Sequence, residues 1–194
     1  MKRICVFAGS GAGKRPEYRT AAEALGRTLA DRDIELVYGG ARIGLMGVMA
    51  DAALNAGGRV IGVMPSCLVA KEVAHAGLTE FHEVGSMHER KALMADLSDG
   101  FVALPGGWGT LDELFEILTW AQLGLHHKPC GVLNVGGYFD PLLRFIDHTV
   151  NEGFVRHEYH AMLAVSATAP DLLDDLVRRM PLAVEKRSAR GPER

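Results

Sequence analysis

Cysteine is scarce in this 194-residue chain. Cys5, Cys67 and Cys130 are odd in number and far apart, which excludes a disulfide framework and gives no metal-ligand spacing. The expectation is a reduced, cytoplasmic protein. Charge of one sign is equally scarce. Lys and Arg number 21 against 24 Asp and Glu, a formal net charge of −3, so no global basic field draws the chain to nucleic acid or to an anionic membrane. No apolar run is long enough to span a bilayer. Residues 1–9, basic and then apolar, are too short for the apolar core of a signal peptide and read as a first strand. Internal repeats and linkers are missing. The eight histidines form no metal-ligand pattern, and Ser10 and Ser66 lack the Gly-x-Ser-x-Gly frame of a hydrolase elbow.

What is present suits one domain. A hydrophobic content of 48% can bury a sizeable core. We expect a single domain over residues 1–183 and a charged, disordered tail over 184–194, which lacks an apolar face. Strand-like runs fall at 4–8, 35–38, 59–64, 80–84, 100–104, 131–134 and, more weakly, 162–165. Helical periodicity falls at 16–32, 44–56, 86–97, 110–123, 141–152 and 169–179. Residues 65–79 are the longest connection without an assigned element. Several strand runs are continuously apolar, as in strands covered on both faces. Alternating β and α units with short connections predict a three-layer, doubly wound, Rossmann-like α/β fold with a mainly parallel sheet. Asp140 before Pro141 reads as an N-cap.

Three glycine-rich turns each follow a strand and precede a helix. The first, Gly9-Ser10-Gly11-Ala12-Gly13-Lys14, imitates a dinucleotide fingerprint but has the wrong glycine spacing, and it is not a Walker A loop either. The second runs from Gly39 and Gly40 to Gly47. The third is Pro105-Gly106-Gly107-Trp108-Gly109-Thr110-Leu111-Asp112-Glu113. A single turn of this kind is better explained by a tight βα connection with no ligand. Three of them on the carboxyl edge of one sheet, where ligands bind in open α/β folds, favour an anion site. An acid at the end of the third turn is more than phosphate binding requires and points to chemistry beside the phosphate.

Charged residues near that turn have competing explanations. Ser86 and Glu89 have capping-box spacing. Arg90 and Lys91, one turn further on, could be a solvated face or could reach a phosphorylated ligand, for which arginine's planar fork is suited. Glu113 and Glu116 share a predicted helix face, whereas Asp112 points elsewhere and can merely complement the helix dipole. Trp108 and Trp120 read as packing residues, with Trp108 also placed to shape a pocket. The pair His126-His127 is expected to end a helix, where cations are favoured.

The third turn resembles the Pro-Gly-Gly-x-Gly-Thr-x-x-Glu signature of the LOG (Lonely Guy) family, and the resemblance covers nearly the whole chain up to the last helix. Supporting pieces are Val6-Phe7-Ala8-Gly9-Ser10, Tyr38-Gly39-Gly40, Gly44-Leu45-Met46-Gly47, Met87-His88-Glu89-Arg90-Lys91 and Thr119-Trp120-Ala121-Gln122-Leu123-Gly124. Ala8, Gly11 and Ala41 depart from the pattern of many relatives. Members are often labelled lysine decarboxylases, but no pyridoxal-phosphate lysine context occurs here. The resemblance implies a phosphoribohydrolase that cleaves cytokinin riboside 5′-monophosphates, and often AMP, to free base and ribose 5-phosphate. It implies a nucleoside 5′-monophosphate as substrate, no metal or other cofactor, and a homodimer or higher homo-oligomer with Arg90's helix near the subunit contact. Arg90 and Glu113 match catalytic positions. Glu72, Arg90, Lys91, Gly107, Trp108, Gly109, Thr110, Leu111, Asp112, Glu113 and Thr119 match substrate-contacting ones, with Ser10, Gly39 and Gly40 as secondary candidates. The alternative is a non-catalytic nucleotide or molybdenum-cofactor carrier-like protein of the same architecture.

Overall fold

The computed structural model describes residues 1–69 and 73–180. Glu72 and the expected tail at 184–194 therefore lie outside the described residues. Seven strands form one sheet: β1 (Arg3–Phe7), β2 (Glu35–Tyr38), β3 (Val60–Pro65), β4 (Glu80–Val84), β5 (Gly100–Ala103), β6 (Cys130–Leu133) and β7 (Leu163–Ser166). Every neighbouring pair is parallel, in the order β4-β3-β2-β1-β5-β6-β7. The chain winds outward from β1 to β4, returns to set β5 beside β1, and winds outward again. The switch point is therefore the crevice between the carboxyl ends of β1 and β5.

Helices α1 (Pro16–Asp31), α2 (Gly44–Asn55), α4 (Met87–Asp96), α5 (Trp108–Gln122), α6 (Asp140–Asn151) and α8 (Ala169–Arg179) cover the sheet. Two short helices, α3 (Ser66–Val69) and α7 (His157–His160), and a 3-10 turn, Val135–Gly137, are additional to the expected elements. Alternation along each strand divides the core into two layers. Ile4, Val6, Leu36 and Val102 pack under α1, α2 and α8, against Leu25, Met49 and Leu172. Cys5, Phe7, Val37 and Phe101 face the opposite way, toward Met94 of α4 and Leu114 and Ile117 of α5. Because both faces are covered, β3, β5 and β6 are buried and apolar throughout, whereas the edge strand β4 carries Glu80, His82 and Glu83 and is only partly buried. Burial pushes the Cys5 thiol well up and the Cys130 thiol up to about 12, so both behave as packing groups.

Local details correct three expectations. Asp140 is the first helical residue of α6 and not its N-cap. Phe139 precedes the helix in αR geometry, and the Asp140 carboxylate instead accepts from Asn134 Nδ2 at 2.7 Å. The capping box is displaced by one residue: Ser86 Oγ accepts from the Glu89 N–H, but Glu89 reaches back to the N–H of Gly85. His126 and His127 lie beyond α5. His126 Nε2 contacts the Ile117 carbonyl at 3.0 Å, and burial lowers its pKa, so it serves as a neutral packing group against Phe101 and not as a cationic helix end.

Candidate active site

The glycine turns converge on the switch point. The Gly9 N–H donates to the Pro105 carbonyl at 3.1 Å, and the Leu45 N–H donates to the Gly9 carbonyl at 3.0 Å. A cleft between the first and third turns is lined by Gly9, Ser10, Gly13, Tyr18, Gly106 and Tyr138. At Gly106 a side chain would collide with Thr110 and with the Gly9 backbone, so glycine there is required by close approach.

Helix α5 starts two residues earlier than its periodicity suggests. Gly107 is the N-cap, no side chain caps the helix, and the first intrahelical bond runs from the Leu111 N–H to the Gly107 carbonyl at 3.1 Å. The N–H groups of Trp108, Gly109 and Thr110 thus start the helix without intrahelical partners, at the positive end of its dipole. Gly107 and Gly109 are exposed and Thr110 is buried. Trp108 is 90% exposed, so it is not a packing residue; being the first helical residue places its side chain outward. Trp120 does pack against the α5 side of the core.

One turn deeper on α5, Glu113 meets Arg90 of α4. Arg90 Nη1 donates to Glu113 Oε1 at 2.8 Å, and Arg90 Nε donates to the Val63 carbonyl at 3.2 Å. Among the described residues these are the only two charged side chains that are buried. Burying charges is costly, and such a pair adds little net stability over apolar packing. Its position beside an uncapped helix N-terminus therefore argues for use rather than for support. Burial raises the Glu113 pKa. The attraction and hydrogen bond of Arg90 pull the other way without cancelling that effect.

Lys91 makes the neighbouring rung. Its Nζ donates to Glu116 Oε1 at 3.0 Å and Asp112 Oδ2 at 3.2 Å. Burial alone would lower its pKa, but the bonds to the two acids raise it. Glu113 and Glu116 do share a face, and adjacent cations of α4 engage them. Leu111 is half-buried in the core. Thr119 is not brought to this cluster. It lies six residues past Glu113, about 9 Å along the helix axis, with its hydroxyl donating to the Phe115 carbonyl at 2.7 Å. It lines an apolar groove with Phe115, Phe145 and Tyr159.

Among the secondary candidates, Ser10 is exposed at the cleft and Gly40 is buried, its carbonyl accepting from the His75 N–H. Gly39 has a steric role. The Arg90 guanidinium lies directly against its Cα, and a Cβ there would collide with Nη2. Since that atom ends a flexible side chain, Gly39→Ala should displace Arg90 while leaving the fold intact. We expect activity to fall at least tenfold with Tm shifted by only about 2 °C; steady-state kinetics beside a thermal melt checks both. Sequence reasoning missed Tyr138, whose hydroxyl donates to the Gly106 carbonyl at 2.5 Å. The available signal was a fourth glycine turn, Gly136-Gly137 after β6.

Fold and site together define a doubly wound α/β protein with glycine turns and an uncapped helix N-terminus at its switch point, next to a buried arginine–glutamate pair. Comparison with known proteins narrows the class. A family model described as "Possible lysine decarboxylase" matches residues 46–176. The chain is 52% identical to probable cytokinin riboside 5′-monophosphate phosphoribohydrolase LOGL9 of Oryza sativa subsp. japonica, over 94% of this chain and 80% of the relative. It is 49% identical to cytokinin riboside 5′-monophosphate phosphoribohydrolase LOG1 of Arabidopsis thaliana, over 97% and 90%. The chain belongs to the LOG family. Among solved structures, the molybdenum cofactor binding protein of Rippkaea orientalis superposes with a TM-score of 0.68 at 23% identity, covering 92% of this chain and 96% of that one. The molybdenum cofactor carrier protein of Chlamydomonas reinhardtii gives 0.69 at 21%, covering 92% and 97%. At such identities the likeness is one of fold.

Proposed function

We propose that this protein is a phosphoribohydrolase. It hydrolyses the N-glycosidic bond of purine riboside 5′-monophosphates, including cytokinin ribotides and AMP, to free base and ribose 5-phosphate. The observation that carries this reading is the buried Arg90–Glu113 pair one turn inside the uncapped N-terminus of α5. A carrier needs the anion site but not two buried opposite charges beside it. Relatives about half identical over most of the chain bear hydrolase names, which favours this reading over the non-catalytic alternative.

The chemistry follows from the geometry. The N–H groups of Trp108, Gly109 and Thr110, together with the Thr110 hydroxyl and the Gly107 backbone, hold the 5′-phosphate at the positive end of α5. Leu111 sets the helix on the core, and Asp112 contributes by holding Lys91. As the C1′–N bond breaks, its electron pair leaves with the base and positive charge grows on the ribose. Glu113, ionised, stabilises that charge, orients the water whose oxygen bonds to C1′ and accepts the proton that this water loses, while the departing base takes a proton from solvent. Arg90 stabilises negative charge on the departing base. Lys91 adds positive potential at the same edge, while Glu72, outside the described residues, is assigned to positioning base or ribose. Incubation with AMP should release adenine and ribose 5-phosphate in equal amounts, with little release from adenosine. Cleavage of adenosine as fast as AMP contradicts the phosphate-grip reading.

The protein also acts as a homodimer on this reading. Helix α6 has no fully buried residue, although Leu142, Leu143, Phe145 and Ile146 give it an apolar stripe. Phe115 is 40%, Phe145 60% and Leu123 65% exposed, an apolar surface that a second copy would cover. Helix α5 is thus core on one side, through Leu114 and Ile117, and interface on the other. Thr119 lies on that outer side. We expect Phe145→Asp to shift the protein from dimer to monomer in analytical ultracentrifugation; an unchanged dimer removes this face from the interface.

A further inference from the structure

The phosphate turn is not self-supporting. Its two carbonyls are held from different sides: Pro105 O by the Gly9 N–H at 3.1 Å, and Gly106 O by the Tyr138 hydroxyl at 2.5 Å. Tyr138 stands just past the 3-10 turn Val135–Gly137, and four contacts fix that turn independently of any ligand. Asn134 Oδ1 accepts from the Phe139 N–H at 2.8 Å. Arg15 Nη1 donates to the Gly136 carbonyl at 3.2 Å. The Tyr138 ring packs edge-on against Tyr18 and Phe139, with centroids 5.5 Å and 5.0 Å away. The hydroxyl is thus held in place before substrate arrives, on an element anchored by β6 and by the start of α1.

Peptide planarity turns this contact into a statement about binding. The described backbone contains no cis peptide, so the Gly107 N–H points opposite to the Gly106 carbonyl. Holding that carbonyl at Tyr138 fixes the direction of the Gly107 N–H and, through it, the start of α5. Gly106 and Gly107 have no side chains to resist rotation, and a peptide flip would turn a carbonyl toward the phosphate in place of a donor. We propose that Tyr138 is a positioning residue for the anion site: it locks the Gly106–Gly107 peptide with its N–H toward the substrate phosphate. This rests on the phosphoribohydrolase reading for the identity of the ligand, but not for its test.

Tyr138→Phe keeps the ring contacts and removes only the hydroxyl. Calorimetry with ribose 5-phosphate and with adenine, beside kinetics on AMP, separates the possibilities. We expect ribose 5-phosphate to bind about five- to tenfold more weakly, KM for AMP to rise by the same factor with kcat changed less than twofold, adenine affinity to be unchanged, and Tm to move by about 2 °C or less. Unchanged affinity for ribose 5-phosphate overturns the proposal, and so does an equal loss of adenine affinity, which would mark a general disturbance. If the wild-type chain binds ribose 5-phosphate but does not cleave AMP, the functional reading fails while the binding comparison still decides the role of Tyr138.

Discussion

Glu113→Gln is expected to lower kcat/KM on AMP by about two to three orders of magnitude, the scale of losing one preorganised transition-state contact worth about 2.7–4 kcal/mol. The substitution is nearly isosteric and the amide oxygen can still accept from Arg90 Nη1, so the protein should stay folded. The negative charge that answers the ribose cation is what disappears. The pH profile gives a second readout. Activity requires ionised Glu113, and burial holds its pKa above the ordinary 4.5. The acid limb of kcat/KM should therefore fall at higher pH than for an ordinary glutamate and be missing from the residual activity of the variant. The stability linkage has the opposite sense. A carboxyl whose folded pKa is raised favours the fold most below its unfolded value and loses that contribution as pH rises through the folded one.

Arg90→Ala should cost activity on a similar scale and stability as well. Removing one partner of a buried pair typically costs about 3–5 kcal/mol because the other charge is left uncompensated. Glu113 can escape by taking up a proton, which holds the cost near about 3 kcal/mol and makes it pH-dependent. The Tm deficit relative to wild type should be large at neutral pH and shrink on acidification, as Glu113 protonates without cost. A variant melting like wild type at neutral pH would mean that the pair is not closed in solution. Arg90→Lys should restore part of the stability but little activity, since an ammonium lacks the planar fork that can face Glu113, the Val63 carbonyl and a purine together.

Most of the architecture was legible because parallel strands buried on both faces leave continuous apolar runs, and short βα connections leave little freedom in their assembly. All seven strands and the six long helices lie within two residues of the expected bounds. The errors concentrate where local pattern is silent. Gly107-Trp108-Gly109 has no helical periodicity, yet α5 begins there, with open space around both glycines. Trp108 looked like core because tryptophan usually is, but as the first helical residue it has nothing above it. Helices α3 and α7, at four residues each, are too short to show a period.

At the site, residue types were readable and partnerships were not. The family resemblance singled out Arg90 and Glu113, but their contact spans 23 residues and exists only because the fold lays α4 over β3 and α5 over β1 and β5 on the same face of the sheet. Tyr138 touches a turn 32 residues away in sequence, and nothing local marks its hydroxyl. Gly39 read as a ligand-facing glycine, whereas the structure gives it the task of making room for a guanidinium.

The most direct test of the central claim is a product assay. Purified wild-type protein and Glu113→Gln, both shown to be folded, are incubated with AMP, and adenine and ribose 5-phosphate are quantified over time. Equimolar products are expected from the wild type, and a rate at least about a hundredfold lower from the variant. Binding of AMP without product from the wild type, or equal turnover by the two proteins, would contradict it.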